Sequence, residues 1–509
     1  MPLLLRLLRR RPLLALFVVL LGLMGCSASE PRRPASSSSL SKPLVMPQIR
    51  LDDGPASVQG PLSAPTAPAA PGNPTTPNSQ VSPANSGPTL TVPNGRPTSN
   101  GNAAGKLPTG NGAQVMLGID VLEQQGFEVL KGKRVGLLTH PAGVNRHGES
   151  TVSVLRRAPG IRLVALYSVE HGIYGDLPAE KPYPDRVDPK TGLMVYSLYN
   201  GKKEGRWVSP QQLAAVDVMV IDLQDIGSRS YTYISAMRYT LEGCFKAGKE
   251  VVVLDRPNPL GGLKVDGPLL EQEWMSYVGA FRIPYVHGLT IGELAKMAKE
   301  APGVLEIPDK VREKGRLTVI PMRGWKRSMR WPDTGLKWVP TSPMIQDYSA
   351  VMGYAMTGLG TYLGGFRHGV GDQHAFRGIY HKTMQSDFVE RELSSFRIPG
   401  LRFQKISVPG RDGKPATGIF IEIIDWDDWR PTELSFYLMK LACKYEKANP
   451  FLATPQGQVN GFLRHMGNTA FYEALRREGA RVDVDSYIRD WQGKCRIYQT
   501  ASRKYWLYY

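Results

Sequence analysis

Several apolar runs in this chain stop abruptly on a polar or charged residue, and that pattern constrains the fold more than any other. Arg134-Val135-Gly136-Leu137-Leu138-Thr139 runs into His140. The stretch from Ile161 to Tyr167 runs into Ser168-Val169-Glu170-His171, the stretch from Val216 to Leu223 into Gln224-Asp225, and Glu250-Val251-Val252-Val253-Leu254 into Asp255. Runs this apolar suit strands covered on both faces. Helices are expected between them, from about Glu149 to Arg157 and from about Thr232 to Ala247. Thr290 with Glu293 at the third helical position reads as a capping box opening another. Strands alternating with helical crossovers give a mainly parallel α/β sheet, whose ligands bind outside the carboxyl ends of the strands. The polar strand ends are therefore where chemistry belongs. No GxGxxG follows the first strand and no GxxxxGK[ST] occurs, so no nucleotide cofactor is indicated.

After Ser342 the texture changes. The segment YSAVMGYAMTGLG reads as a helix, LRFQKISV and TGIFIEIID as strands, Pro431 as a helix start and Asn468 to Glu478 as another helix. The aromatic end, KYWLYY, is expected to dock. The reading is a sheet domain over 113–343 and a smaller C-terminal α/β domain over 344–509, with a sugar-sized cleft between them.

The first part of the chain cannot build a core. From Ser27 to Gln114 there is no aromatic residue, and Pro, Ser, Thr, Ala, Asn and Gly dominate. Such a segment buries too little apolar area to offset its chain entropy, so 26–112 is expected to be an extended tether. Before it, Arg6, Arg9, Arg10 and Arg11 precede an apolar run from Leu13 to Met24, too short for a span of about 20 residues. The ending Leu23-Met24-Gly25-Cys26 resembles the lipobox of bacterial lipoproteins, which implies a leader over 1–25, lipid on Cys26 and a membrane anchor. Ser27 resembles the sorting signal of lipoproteins sent to the outer membrane.

The formal charge is +18, but basic residues are scattered and none interleave with aromatics as on a nucleic-acid face. Nucleic acid is not an expected partner; anionic envelope polymers and lipid headgroups fit better. Besides Cys26 there are Cys244, Cys443 and Cys495. A Cys443–Cys495 disulfide and buried thiols are both open. No zinc spacing or HExxH occurs, and no metal is expected.

Glu170-His171-Gly172 is the sharpest catalytic candidate. A glutamate at a strand end beside Val169, Ile173 and Tyr174 suits a general acid, the proton donor that glycosidic bonds require, usually alongside a second carboxylate. His171 would orient it or bind substrate. His140 and His287 also end apolar runs, and Asn145 sits in the loop after His140. Asp222 and Asp225 suit sugar hydroxyls, Arg229 suits a substrate carboxylate, and Tyr231 suits a pyranose face. Asp255, Arg256 and Asn258 form a turn stiffened by Pro257 and Pro259. Trp325 and Arg327 suit an acidic glycan. Each equally fits a scaffold role: an internal Asp–Arg pair, a hydrogen-bonded histidine, a packed hairpin.

Together GLLTHPAGVN, YSVEHGIYG, IDLQDIGSRSYTY, VVVLDRPNPLGG, HGLTIGELA, MRGWKR and RKYWLYY resemble the exo-β-N-acetylmuramidase NamZ family. The resemblance implies a Rossmann-like catalytic domain without a dinucleotide and a C-terminal α/β domain. It also implies removal of β-1,4-linked N-acetylmuramic acid from non-reducing ends of peptidoglycan fragments, without a cofactor. The family's proposed catalytic glutamate falls on Glu170, its histidine on His171, and its Asp-Arg-Pro-Asn-Pro turn on Asp255 to Pro259. Two stretches depart from the pattern. Ser342-Pro343-Met344 stands where the family has Ser-Pro-Asn, and Thr357-Gly358-Leu359-Gly360 where it has Glu-Gly-Thr-Asn. Arg367 and His368 are the candidates to compensate. The departures favour two alternatives, a non-catalytic muropeptide-binding lipoprotein and a hydrolase of another anionic envelope sugar. Oligomeric state is open.

Overall fold

The computed structural model describes residues 115–178, 181–201, 206–410 and 413–509. The leader, Cys26 and the 26–112 tract lie outside the described residues. The first domain runs α1 (Gly118–Gln124), β1 (Arg134–Thr139), α2 (Thr151–Arg157), β2 (Arg162–Ser168), β3 (Arg186–Val187), β4 (Met194–Ser197), β5 (Val218–Asp222), α3 (Tyr233–Lys246) and β6 (Glu250–Leu254). It continues through β7 (Asp266–Leu269), β8 (Pro284–Val286), α4 (Ile291–Glu300), α5 (Asp309–Lys314) and β9 (Leu317–Ile320). Seven strands form one sheet in the order β3-β4-β2-β1-β5-β6-β9. Only the edge strand β3 runs antiparallel.

The expected apolar runs are its interior: every residue of β5 is buried, as are the last four of β6. The winding reverses at β1, which leads outward to β2 and β4 before β5 returns along its other side. The carboxyl ends of β1, β2 and β5, carrying His140, Glu170 and Asp225, therefore meet at the switch point of the sheet.

Local signals set the helices. Ser150 caps α2 by accepting the Ser153 N–H, so this helix starts two residues later than Glu149. Thr290 and Glu293 close the expected capping box on α4, each side chain accepting the other's backbone N–H. Gly292 is required there, because a Cβ would stand 2.6 Å from the Asp255 carboxyl carbon.

The second domain contains α6 (Tyr348–Thr357), β10 (Phe366–His368), β11 (Gly378–His381), α7 (Ser386–Ser395), β12 (Leu401–Pro409) and β13 (Pro415–Ile423). Helices α8 (Glu433–Tyr445), α9 (Gln456–Met466), α10 (Thr469–Glu478) and α11 (Val484–Ser502) follow. Its sheet, β10-β11-β13-β12, is antiparallel. No expectation covered α11, although its buried Val484, Ile488, Trp491 and Cys495 recur at helical spacing. Cys244, Cys443 and Cys495 are free thiols. None of the described helices is long and apolar enough to cross a membrane.

The two domains are sewn together. Arg229, fully buried after β5, donates to the Pro268 and Ile283 carbonyls from Nη1 and to the His465 and Met466 carbonyls, at the end of α9, from Nη2. The aromatic tail docks as expected. Tyr508 donates to Asp255 at 2.6 Å and accepts the Met322 N–H, while Trp506 lies over the Arg327 guanidinium at 3.8 Å. Arg229→Met would orphan buried carbonyls on both domains, each costing about 1–3 kcal/mol. We expect it to lower unfolding free energy by at least about 3 kcal/mol in denaturant titration. A loss under about 1 kcal/mol would contradict the pinning role.

Candidate active site

Glu170 leaves β2 half-buried, directly after fully buried Ser168 and Val169. The next residue, His171, adopts φ +72°, a left-handed conformation that a side chain at this position makes costly. Its Nδ1 lies 2.9 Å from the Leu177 carbonyl, which can only accept. Nδ1 therefore carries a proton, and Nε2 is the ring nitrogen left without a partner in this turn. Backbone strain and the Nδ1 hydrogen bond together hold the His171 ring.

Three tyrosines lie within range of the Glu170 charge. Burial raises the hydroxyl pKa of Tyr233, Tyr277 and Tyr354, and the Glu170 charge raises each further. Tyr354, pushed up to about 12, comes from α6 and meets the Ser230 hydroxyl at 3.0 Å. Ser230 in turn donates to Tyr285 at 2.9 Å. Glu170 thus faces neutral hydroxyls contributed by both domains. Sequence reading missed Tyr277, Tyr285, Tyr354 and Ser230, because nothing local separates them from core aromatics.

Asp225 supplies a second carboxylate. Its Oδ2 accepts the Gly227 N–H at 2.7 Å and faces His287 Nε2 at 3.2 Å. The Leu289 N–H donates to His287 Nδ1, so His287 carries its proton on Nε2 and donates to Asp225. Asp225 Oδ1 is buried without a partner. His140 is held neutral, its pKa driven well below 6.5 first by burial and then by the Arg256 charge. It accepts the Gln224 N–H at 2.9 Å and packs edge-on against Tyr233. Tyr231 packs on Tyr233 and donates to Thr341 at 2.8 Å. Glu170, His171, His140, Asp225, His287 and Tyr231 are therefore held around one rim.

The other expected binding residues make hydrogen bonds and packing contacts within the scaffold. Asp222 holds Arg256 bidentately at 2.5 and 2.8 Å and accepts from Thr151. Arg229 spends both terminal nitrogens on carbonyls, while its Nε is buried without a partner. Asp255 accepts from Arg256 N, Gly292 N, Thr290 and Tyr508. Asn258 spans the Leu289 carbonyl and the Leu260 N–H, and Asn145 closes its own loop on the His147 and Glu149 amides. Trp325 packs edge-on against Tyr508, and Arg327 pairs with Glu293 at 2.7 Å. No three His, Cys, Asp or Glu side chains among the described residues are grouped as for a metal ion.

Two family models match the chain, exo-β-N-acetylmuramidase NamZ N-terminal over residues 135–349 and C-terminal over 352–508. The chain belongs to the NamZ family. A Bacillus subtilis relative, peptidoglycan β-N-acetylmuramidase NamZ, is 33% identical over 427 residues, covering 82% of this chain and 96% of the relative. A DUF1343 family crystal structure from Bacteroides fragilis is 35% identical with TM-score 0.69, covering 78% of this chain and 99% of that one. A second from the same organism, 22% identical with TM-score 0.61, shares the fold.

Thr357 turns its hydroxyl onto the Gly353 and Phe376 carbonyls. At Gly360 a Cβ would stand 2.8 Å from Ser435 Cα in α8, so this position has no room for a side chain. Of the two residues expected to compensate, Arg367 donates to the Phe366 carbonyl, and His368 stacks on Phe376 at 3.8 Å. Met344 is exposed.

The buried carboxyl of Asp255 makes folding pH-dependent. Burial raises its pKa to about 7 despite the hydrogen bonds it accepts. The folded state therefore holds a proton that the unfolded chain, with a pKa near about 3.9, releases earlier. Its contribution is fully present below about pH 4 and is lost as pH rises to about 7. In thermal melts, the wild-type Tm relative to that of Asp255→Asn should fall across that window and level off above it. A difference independent of pH would contradict the assignment.

Proposed function

We propose that this chain is an exo-acting glycoside hydrolase releasing β-1,4-linked N-acetylmuramic acid from the non-reducing ends of peptidoglycan fragments. The observation that carries the reading is the placement of two unlike carboxylates, Glu170 after β2 and Asp225 after β5, at the carboxyl edge of the sheet, where the charge of each raises the Tyr354 pKa. Half-buried Glu170 stands near neutral tyrosine hydroxyls, and Asp225 accepts from His287 Nε2 with its Oδ1 unpartnered. Family membership supports the sugar class. Protonated Glu170 would donate to the glycosidic oxygen as its bond to the anomeric carbon breaks. Water then supplies the hydroxyl to that carbon, and Asp225 Oδ1 is the acceptor for the water's proton or a sugar hydroxyl. Tyr354 and Tyr231 orient the ring. His171, locked by its turn, positions Glu170.

Glu170→Gln preserves shape without the proton. General acid catalysis contributes roughly 10²–10⁴-fold, so kcat/KM on a β-linked muramic acid disaccharide should fall by about that factor. A variant within about threefold of wild type at every pH would remove Glu170 from the role. A second reading is a non-catalytic muropeptide-binding protein, favoured by the substituted wall at Thr357 and Gly360. Tight binding of the disaccharide without turnover by the wild type would select it.

The reading extends to location. A lipidated Cys26 with a tether over 26–112 would hold the body at the periplasmic face of the outer membrane, within reach of wall fragments. Intact mass of membrane-extracted protein should give a chain beginning at Cys26 and carrying lipid. A mature chain retaining residues 1–25, or unmodified Cys26, would refute the anchor.

A further inference from the structure

A small pocket is lined in part by the loop that follows β1. Its volume is 110 Å³, and its lining combines apolar Leu117, Val144, Leu336 and Val339 and polar or basic Asn145, Arg146, Arg256 and Lys337 with Gln224 and Trp331. Gln224 and Trp331 are 2% and 6% exposed, and each brings one buried polar atom without a partner: the Gln224 Oε1 acceptor and the Trp331 Nε1 donor. The Gln224 orientation is not arbitrary. Its Nε2 donates to the Asp225 and Pro257 carbonyls at 2.8 and 2.9 Å, which fixes Oε1 as the atom left over. A buried acceptor and a buried donor left unmet cost stability unless a ligand meets them.

Few ligand groups satisfy both. A carboxylate could pair with the basic part of the lining but cannot donate to Gln224, a hydrocarbon meets neither atom, and a lone hydroxyl does not fill the space. A secondary amide offers an N–H and a C=O together, and its methyl would rest on the apolar lining. The volume is somewhat below the cavity of about 150 Å³ that accepts a benzene ring, so it suits an acetamido group and not a continuing peptide. The pocket is also joined to the catalytic rim, since Gln224 donates its backbone N–H to His140 and adjoins Asp225.

We propose that this pocket is the subsite for the acetamido group of the sugar, with Gln224 accepting its N–H and Trp331 donating to its carbonyl. The proposal rests on the glycosidase reading for its substrate but is tested apart from it. Trp331→Phe removes the donor and keeps an aromatic ring; Val339→Phe fills the pocket from a half-buried position without touching Gln224. For wild type and both variants, kcat/KM is compared on a β-linked muramic acid disaccharide in its N-acetylated and free-amine forms. Calorimetric titration with the methyl glycosides of N-acetylmuramic acid and muramic acid is run in parallel, with melting curves to verify folding.

The wild type should prefer the acetylated form in either measurement. Trp331→Phe should reduce that preference about tenfold, the order of one lost hydrogen bond, and Val339→Phe should abolish it. Wild type that binds the acetylated glycoside selectively but turns over nothing would sustain the subsite and sink the hydrolase. No wild-type preference for the acetyl group, or a preference unchanged within twofold in both folded variants, would overturn the subsite whatever the activity.

Discussion

The rim of this protein is organised by the ion pair between Asp222 and Arg256, both fully buried at the carboxyl ends of adjacent strands β5 and β6. Arg256 also donates to the Val144 carbonyl after β1, and Asp222 accepts from Thr151 at the start of α2. One bidentate contact thus ties four chain segments at the point where the sheet reverses its winding. Such a pair adds little net stability over an apolar replacement, because desolvation offsets the attraction, but removing one partner costs about 3–5 kcal/mol. Its consequence here is geometric. With those loops fixed, His140 is set against Gln224, and Gln224 against the turn at Pro257. The Arg256 charge also helps to keep His140 neutral.

A second layer of buried polar groups closes the body around that rim. Asp255 gathers α4 and the chain terminus through Gly292, Thr290 and Tyr508. Arg229 and Arg327 satisfy carbonyls that would otherwise be buried and unpaired. The second domain is consequently part of the site's frame: its Tyr354 stands beside Ser230, and the aromatic tail is packed into the first domain's core. What remains for chemistry after this accounting is a short list, with Glu170 and Asp225 as its carboxylates.

The fold was legible because β5 and β6 are apolar on both faces and because Thr290 and Glu293 declare a helix start by chemistry local to three residues. The convergence of polar strand ends was legible for the same reason, since parallel strands must all end on one side. The role of each strand-end residue was not. Arg229 and a ligand-binding arginine look alike in sequence, and its carbonyl partners at 465 and 466 lie more than two hundred residues away. Asp255 likewise finds Tyr508 only in three dimensions. Tyr354 and Tyr285 carried no signal at all, being tyrosines among apolar neighbours until the domains pack. The glycine at 360 was visible in sequence, but the close approach of α8 at Ser435 that it permits was not.

The central claim is that Glu170 delivers a proton to a glycosidic oxygen held over the strand ends. A crystal structure of Glu170→Gln with an uncleaved β-linked N-acetylmuramic acid disaccharide tests it most directly. The account places the side chain at position 170 within about 2.6–3.2 Å of the bridging oxygen, with Asp225 Oδ1 facing the same sugar. A disaccharide bound with its bridging oxygen out of reach of position 170, or seated away from this rim, would contradict it.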